Sequence, residues 1–202
     1  MMEHLDRLDR YSLDHPDNIV FVIINYVPEQ FDRIFSRMEF VTAISYMARA
    51  ADKMHVPLLY PVRNVEDKSD MRRYMDEKMQ IRIRSLPPKS SFDDRFRLEY
   101  EKYMPENDLI APVKSENIFS DSKFLEAFFK TGKKVVYLMG FQTEVEVQIS
   151  AMGAISNGIF PVIVSDATST FSERTYFEAL DLMSQIIEVI DTRDLIKIWG
   201  DW

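Results

Sequence analysis

Glu146 carries a carboxylate in the first turn of a predicted helix, which follows a predicted strand after a tight turn. The strand, Lys134–Met139, is an apolar run rich in β-branched residues that ends before Gly140, which is typical of a strand buried on both faces. Ligands of parallel sheets bind beyond the carboxyl ends of the strands. We therefore expect the segment Gly140–Glu146 to lie at the rim of any site.

Two interpretations of Glu146 are open. Thr143 and Glu146 have the spacing of a capping box, in which the glutamate accepts a backbone N–H at the start of a helix. The helix dipole favours such a carboxylate by roughly 0.3–1 kcal/mol. In the second interpretation Glu146 is an acid or base, because a carboxylate in a dry pocket reaches a pKa useful for proton transfer.

The elements that position this connection form a strand–helix–strand unit over Lys133–Ala167. The short connections predict a right-handed unit with two parallel neighbouring strands. The most apolar run, Ile19–Ile24, is expected to be a central parallel strand that ends at Asn25. Leu109–Val113 is predicted to be another strand, with Lys114 at its end.

The rest of the chain alternates helices and strands in the same way. The predicted elements are a helix over about Asp32–Met54, a strand over Val56–Tyr60, a helix from Ser172, a strand over Ile186–Ile190 and a helix over Thr192–Trp199. This order predicts an α/β fold of the Rossmann-like kind, a three-layer sandwich around a mostly parallel sheet of about six strands. We expect one domain over residues 1–202.

The segment between about residues 63 and 105 is the least regular and is predicted to be a variable insertion. Within it, Asp70–Lys78 indicates a charged helix. Met79–Arg84 alternates apolar and basic residues, which favours an edge strand or an extended arm. Ser90–Asp93 offers a cap for a further helix towards Tyr103.

Composition excludes several kinds of chemistry. The chain has no cysteine, which excludes a cysteine nucleophile, thiolate zinc sites, iron–sulfur clusters and disulfides. Its net charge of −8 argues against nucleic acid as a partner, because phosphate binding needs clustered cations. No apolar run approaches the ~20 residues that cross a bilayer, and the acidic first residues do not resemble a signal peptide. We therefore expect a cytoplasmic protein without a membrane partner.

Three segments resemble the isochorismatase-like hydrolases, the cysteine hydrolase superfamily that includes nicotinamidases, N-carbamoylsarcosine amidohydrolases and isochorismatases. They read VFVIIN, PVKSENIFSDSKFLEAF and VVYLMGFQTEVEVQISAMGAISNGIFPVIVSDATS. The family pattern in the third is Gly-x-x-Thr-(Asp or Glu)-x-Cys-Val, a small-residue helix ending in Gly, a strand and Asp-Ala. The residues in register are Gly140, Thr143, Glu144, Val147, Ala151, Gly158, Asp166 and Ala167.

The resemblance implies a catalytic triad of Asp, Lys and Cys, whose positions here are Asn25, Lys114 and Glu146. Only the lysine is kept. A carboxylate is a far poorer nucleophile than a thiolate, and Asn25 cannot exchange a proton as a general base must. Hydrolysis of amides through a thioester is therefore excluded. Family members that cleave isochorismate without the cysteine use the Asp as an acid, and Asn25 lacks that proton too.

The resemblance also implies a frame for an oxyanion hole at Phe141, Gln142 and Thr143, with a cis peptide bond before Gln142. Nicotinamidase-like members bind a metal through an Asp-x-His pattern and a second histidine after the second strand. His4, His15 and His55 do not match that pattern, so no metal and no cofactor is expected.

Two functional hypotheses follow. The first is a non-catalytic homologue that binds a small-molecule ligand and forms a homo-oligomer. The alternative is a hydrolase with altered chemistry, in which Glu146 acts as acid or base beside Lys114.

Overall fold

The computed structural model describes residues 8–25, 33–63, 69–86 and 110–201. Within them lies a sheet of six strands, in chain order β1 (Ile19–Ile24), β2 (Leu58–Arg63), β3 (Ile110–Val113), β4 (Val135–Phe141), β5 (Phe160–Ser169) and β6 (Glu188–Ile190). The spatial order is β3-β2-β1-β4-β5-β6 and every pairing is parallel. The predicted α/β fold and its parallel sheet are confirmed.

The sheet is covered on both faces, because the side chains of a strand alternate between them. The helices are α1 (Arg37–Met54), α2 (Asp70–Arg84), α3 (Ser122–Lys130), α4 (Gln148–Ser156), α5 (Glu173–Ser184) and α6 (Thr192–Trp199). Phe21 and Tyr137 face one core, shared with α1 and α6, while Val22 and Leu138 face a second core with α3, α4 and α5. These two cores make the three layers.

The central strands β1 and β4 hold the site in place. Ile24 pairs in register with Gly140, where the backbones approach closely. Gly140 has φ +111°, and a Cβ at this position would lie 2.1 Å from the carbonyl oxygen of Ile24. Only glycine fits such a combination of conformation and space.

One segment differs from its prediction in type, and several elements differ in their bounds. The segment Met79–Arg84, predicted as an edge strand or an extended arm, is the second half of α2, so that prediction is wrong. Met79 and Ile83 are four residues apart and therefore lie on one face of the helix, where both pack against the core. The second strand runs on to Arg63 instead of ending at Tyr60, and the helix predicted towards Tyr103 lies outside the described residues.

Asp166 braces the structure between two elements. Its carboxylate accepts the backbone N–H of Thr192 at 3.0 Å and also binds the Thr192 hydroxyl, which ties β5 to the start of α6. In the described part of the chain, none of the helices has the length and apolar character required to span a membrane.

Candidate functional site

Asn25 joins three elements at the carboxyl edge of the sheet. It follows β1 with φ +47°, a conformation that asparagine adopts more readily than most residues. Its Oδ1 accepts the backbone N–H of Arg63 at 2.9 Å, and its Nδ2 donates to Oε1 of Glu146 at 3.1 Å. The amide therefore links β1, the end of β2 and the turn before α4.

Glu146 is buried in that turn, the π-helical segment Thr143–Val147. Its Oε2 accepts the backbone N–H of Gln142 at 3.1 Å, and Nη1 of Arg63 lies 3.3 Å from its Oε1. The capping interpretation is half right. Glu146 does satisfy a backbone N–H, but the buried hydroxyl of Thr143 has no hydrogen-bond partner and does not cap the helix.

The predicted pairing of Glu146 with Lys114 is wrong. Lys114 is exposed, and no ion pair joins these two described residues. Arg63 provides the cation instead. Arg63 pairs in register with Val113, the last residue of β3, whereas Lys114 lies one residue beyond the end of that strand and is exposed. The prediction missed Arg63 because it ended the second strand three residues too early.

A chain of charged groups continues from Arg63 to α2. Nη1 of Arg63 also lies 3.4 Å from Oε1 of Glu116, in the loop after β3. This oxygen of Glu116 also accepts a hydrogen bond from Nη1 of Arg72. Nη2 of Arg72 in turn lies 2.8 Å from Oδ1 of Asp76. Two arginines thus bridge three carboxylates, and Arg72 is the one buried residue of α2.

The environments of the two glutamates shift their pKa values in opposite directions. Burial raises the pKa of Glu146, although the Gln142 N–H and the charge of Arg63 act against this. Burial is the largest influence on Glu116 and acts to raise its pKa, but the hydrogen bond from Arg72 and the charges of Arg72 and Arg63 together outweigh it, so the pKa falls below the ordinary value for Glu. Glu116 is therefore ionised at neutral pH.

Replacing Glu116 with glutamine should lower the free energy of unfolding by about 2 kcal/mol at neutral pH, since the variant loses charge-assisted hydrogen bonds. Because the folded pKa is lowered, this contribution is present above the unfolded pKa of about 4.3 and disappears as the pH falls through the folded pKa. Urea unfolding of wild type and variant at several pH values measures the difference. Glu126→Gln, in an exposed pair with Lys130, is the control with little pH dependence. A constant Glu116→Gln deficit across the pH range would contradict the assignment.

A cavity of about 550 Å³ opens beside these charges, a size that suits a small molecule. Its apolar wall comes from α2, the turn before α4 and the segment after β5. The residues of that wall are Met75, Met79, Ile83, Val145 and Phe171, and the polar lining includes Arg33, Arg63, Glu116, Gln142 and Glu146. Phe141 does not fill the cavity, because it packs edge-on against Phe171 in the core at 4.9 Å between ring centroids.

The frame predicted at Phe141, Gln142 and Thr143 lies beside the cavity. The Phe141–Gln142 peptide bond is cis, as the resemblance implies. The Gln142 N–H is taken by Glu146, while the buried Gln142 Oε1 has no hydrogen-bond partner and its Nε2 lies 3.4 Å from the sulfur of Met79. The backbone N–H of Gln142 in this frame is therefore already hydrogen-bonded to the side chain of Glu146.

Among the described residues, one group has the geometry to hold a metal ion. Ligand atoms of Asp9, Asp14 and His15 lie within 4.8 Å of one another before β1. None of the three lines the cavity. Exposed acidic groups of this kind are common without a metal.

Comparisons with known proteins identify relatives. A family model described as an isochorismatase domain matches residues 20–194. The chain is 36% identical over 87 residues to the probable hydrolase YcaC of Escherichia coli (strain K12). That match covers 43% of the chain and spans 42% of the relative, less than half of its length.

Two solved structures share the fold. A cysteine hydrolase from Pseudomonas syringae pv. phaseolicola 1448A has a TM-score of 0.69 and 16% identity, with 91% of this chain and 92% of that chain covered. The YcaC gene product of Escherichia coli, an octameric hydrolase of unknown specificity, has a TM-score of 0.53 and 20% identity, with 88% and 76% covered.

Proposed function

The chain belongs to the isochorismatase domain family, and within this family we propose that it is a small-molecule-binding member without cysteine-hydrolase chemistry. One observation carries the proposal. Glu146 stands where the resemblance places the nucleophilic cysteine, and its carboxylate already accepts the Gln142 N–H and the Asn25 amide. A substrate carbonyl would have to displace a buried anion from these donors.

The neighbouring groups support the same role. The side-chain amide of Asn25 is hydrogen-bonded through both its oxygen and its nitrogen. An amide does not take or give a proton as a catalytic base or acid must. Arg63 supplies a positive charge to Glu146 through its guanidinium, a group that offers hydrogen-bond donors and no acceptor. The open cavity beside them retains the space that a ligand requires.

Turnover assays test the non-catalytic part of this proposal. We expect the purified protein to release no product from nicotinamide, N-carbamoylsarcosine or isochorismate, as followed by chromatography. Turnover at the rate of a family hydrolase would contradict it.

Binding is tested by thermal shift with a panel of small carbonyl compounds. At least one should raise the Tm of the wild type but not of Val145→Trp, in which the indole fills the cavity, and a panel without any shift would contradict the binding role.

A second candidate function is proton transfer by Glu146, which the rise of its pKa on burial favours. Its electrostatic partner would then be Arg63 in place of the predicted Lys114. Any activity of this kind should be lost in Glu146→Gln, which keeps the shape of the side chain and removes the titrating group. Activity that survives in Glu146→Gln would exclude this mechanism.

We also propose that the chain forms a homo-oligomer, as the octameric YcaC of Escherichia coli does. A cytoplasmic location and a single domain over residues 1–202 stay predictions from the sequence.

A further inference from the structure

The helix α4 is apolar on the side that faces away from the protein. Ala151 and Ala154 pack inward against the sheet, while Ile149, Met152 and Ile155 are 41%, 36% and 44% exposed. None of the nine residues of α4 is charged, although 29% of the chain is. A helix that faces water on one side normally carries polar residues there, and one that is apolar all round is normally buried. We call Ile149, Met152 and Ile155 the α4 strip.

The α4 strip stands on a rigid support. Ser150 accepts the backbone N–H of Ile118 at 3.2 Å and donates to the carbonyl of Glu116 at 2.9 Å. Gly153 lies so close to Asn117 that a Cβ would meet its Oδ1 at 2.0 Å. These contacts fix α4 against the loop after β3, so the strip is presented in one orientation.

More apolar surface lies near the C-terminal end of α4. Both α3 and α4 run antiparallel to the strands, so their last turns lie at the amino edge of the sheet, where β5 begins. Phe129 in the last turn of α3 and Phe160 at the start of β5 are each about half exposed. Exposed apolar residues that gather on one face of a protein are typical of an interaction surface.

Charge and symmetry indicate which partner covers the α4 strip. Two copies of a chain with net charge −8 repel each other, so a surface on which they pair must be free of like charges. The strip meets this condition. It is also symmetric in sequence, with Ile149 and Ile155 each three residues from Met152.

We propose that the α4 strip is the contact surface for a second copy of this chain, related to the first by a two-fold axis that passes close to Met152. Such an axis lays Met152 against Met152 and Ile149 against Ile155 of the second copy, the self-complementary contact of an isologous interface. This inference rests on the homo-oligomer of the proposed function and names its surface.

Charge reversal at Met152 tests the proposal, with mass measured by light scattering after size exclusion. Met152→Lys and Met152→Glu should each at least halve the mass of the wild-type assembly, because each brings two like charges together at the axis. Mixing the two variants in equal amounts should restore the wild-type mass, because lysine then faces glutamate across the axis. Circular dichroism checks that each variant is folded.

Leu182 on α5, 63% exposed, is the matched control site. Leu182→Lys and Leu182→Glu should leave the mass unchanged. A monomeric wild type would overturn the homo-oligomer itself. An oligomer that keeps its mass in both Met152 variants, or dissociated variants that do not reassociate when mixed, would overturn the α4 contact and leave the homo-oligomer standing.

Discussion

Gly140→Ala should lower the free energy of unfolding by roughly 4 kcal/mol or more, the largest effect that we expect of a single methyl group in this protein. The added Cβ would lie 2.1 Å from the carbonyl oxygen and 2.6 Å from the nitrogen of Ile24, and neither backbone atom can move without breaking the pairing of β1 with β4. The positive φ of Gly140 adds strain. Thermal unfolding measures the loss, which corresponds to a fall in Tm of roughly 8–16 °C for a chain of this size.

Gly132→Ala is the matched control for Gly140→Ala. Gly132 also has a positive φ, +71°, but a Cβ there meets no atom within 4 Å. This variant should lose only the conformational term, about 1 kcal/mol. Equal losses in the two variants would mean that the close approach of β1 and β4 does not determine the effect.

Arg63→Met should lower the free energy of unfolding by about 3 kcal/mol near neutral pH, because it leaves Glu146 as a buried anion without its cation. The side chain of Glu146 is only 6% exposed, whereas that of Arg63 is 22% exposed, so the loss should lie at the lower end for a broken buried pair. Lys114→Met is the control, and we expect a change within about 0.5 kcal/mol because Lys114 is exposed. Urea unfolding of both variants decides which cation serves Glu146, and a larger loss in Lys114→Met would reverse the assignment.

The pH dependence of Arg63→Met provides a second measurement. Burial raises the pKa of Glu146, and the charge of Arg63 opposes this rise, so its removal should raise the pKa further. A carboxyl group whose pKa is raised by folding destabilises the folded protein only when it is ionised. The free energy of unfolding therefore falls as the pH rises through the folded pKa. The deficit of Arg63→Met should therefore shrink as the pH falls. The double variant Arg63→Met/Glu146→Gln, which leaves no unpaired charge at this position, should recover part of the lost stability.

The candidate site was predicted unevenly from the sequence. The family resemblance put Asn25 and Glu146 in one group, and the two side chains do share a hydrogen bond of 3.1 Å where adjacent parallel strands end at one edge. Arg63 was missed because Pro61 suggested the end of the second strand. The strand in fact continues past Pro61 to Arg63 and pairs with β1. Glu116 and Arg72 gave no signal, since their pairing joins a loop to an insertion helix 44 residues away in sequence.

The sequence by itself determined the layered parallel sheet, the strand ends beside the candidate site and the absence of any cysteine in the chain. These depend on local patterns and on residue types, which are legible along the chain. Only the tertiary structure decided that Arg63, and not Lys114, neutralises Glu146. The physical reason is register. Arg63 is the last residue of β2 and lies opposite Val113, the last residue of β3, whereas Lys114 follows the end of β3 and is exposed. Which residues of two strands lie opposite each other is set by their pairing, which a single strand's sequence does not contain.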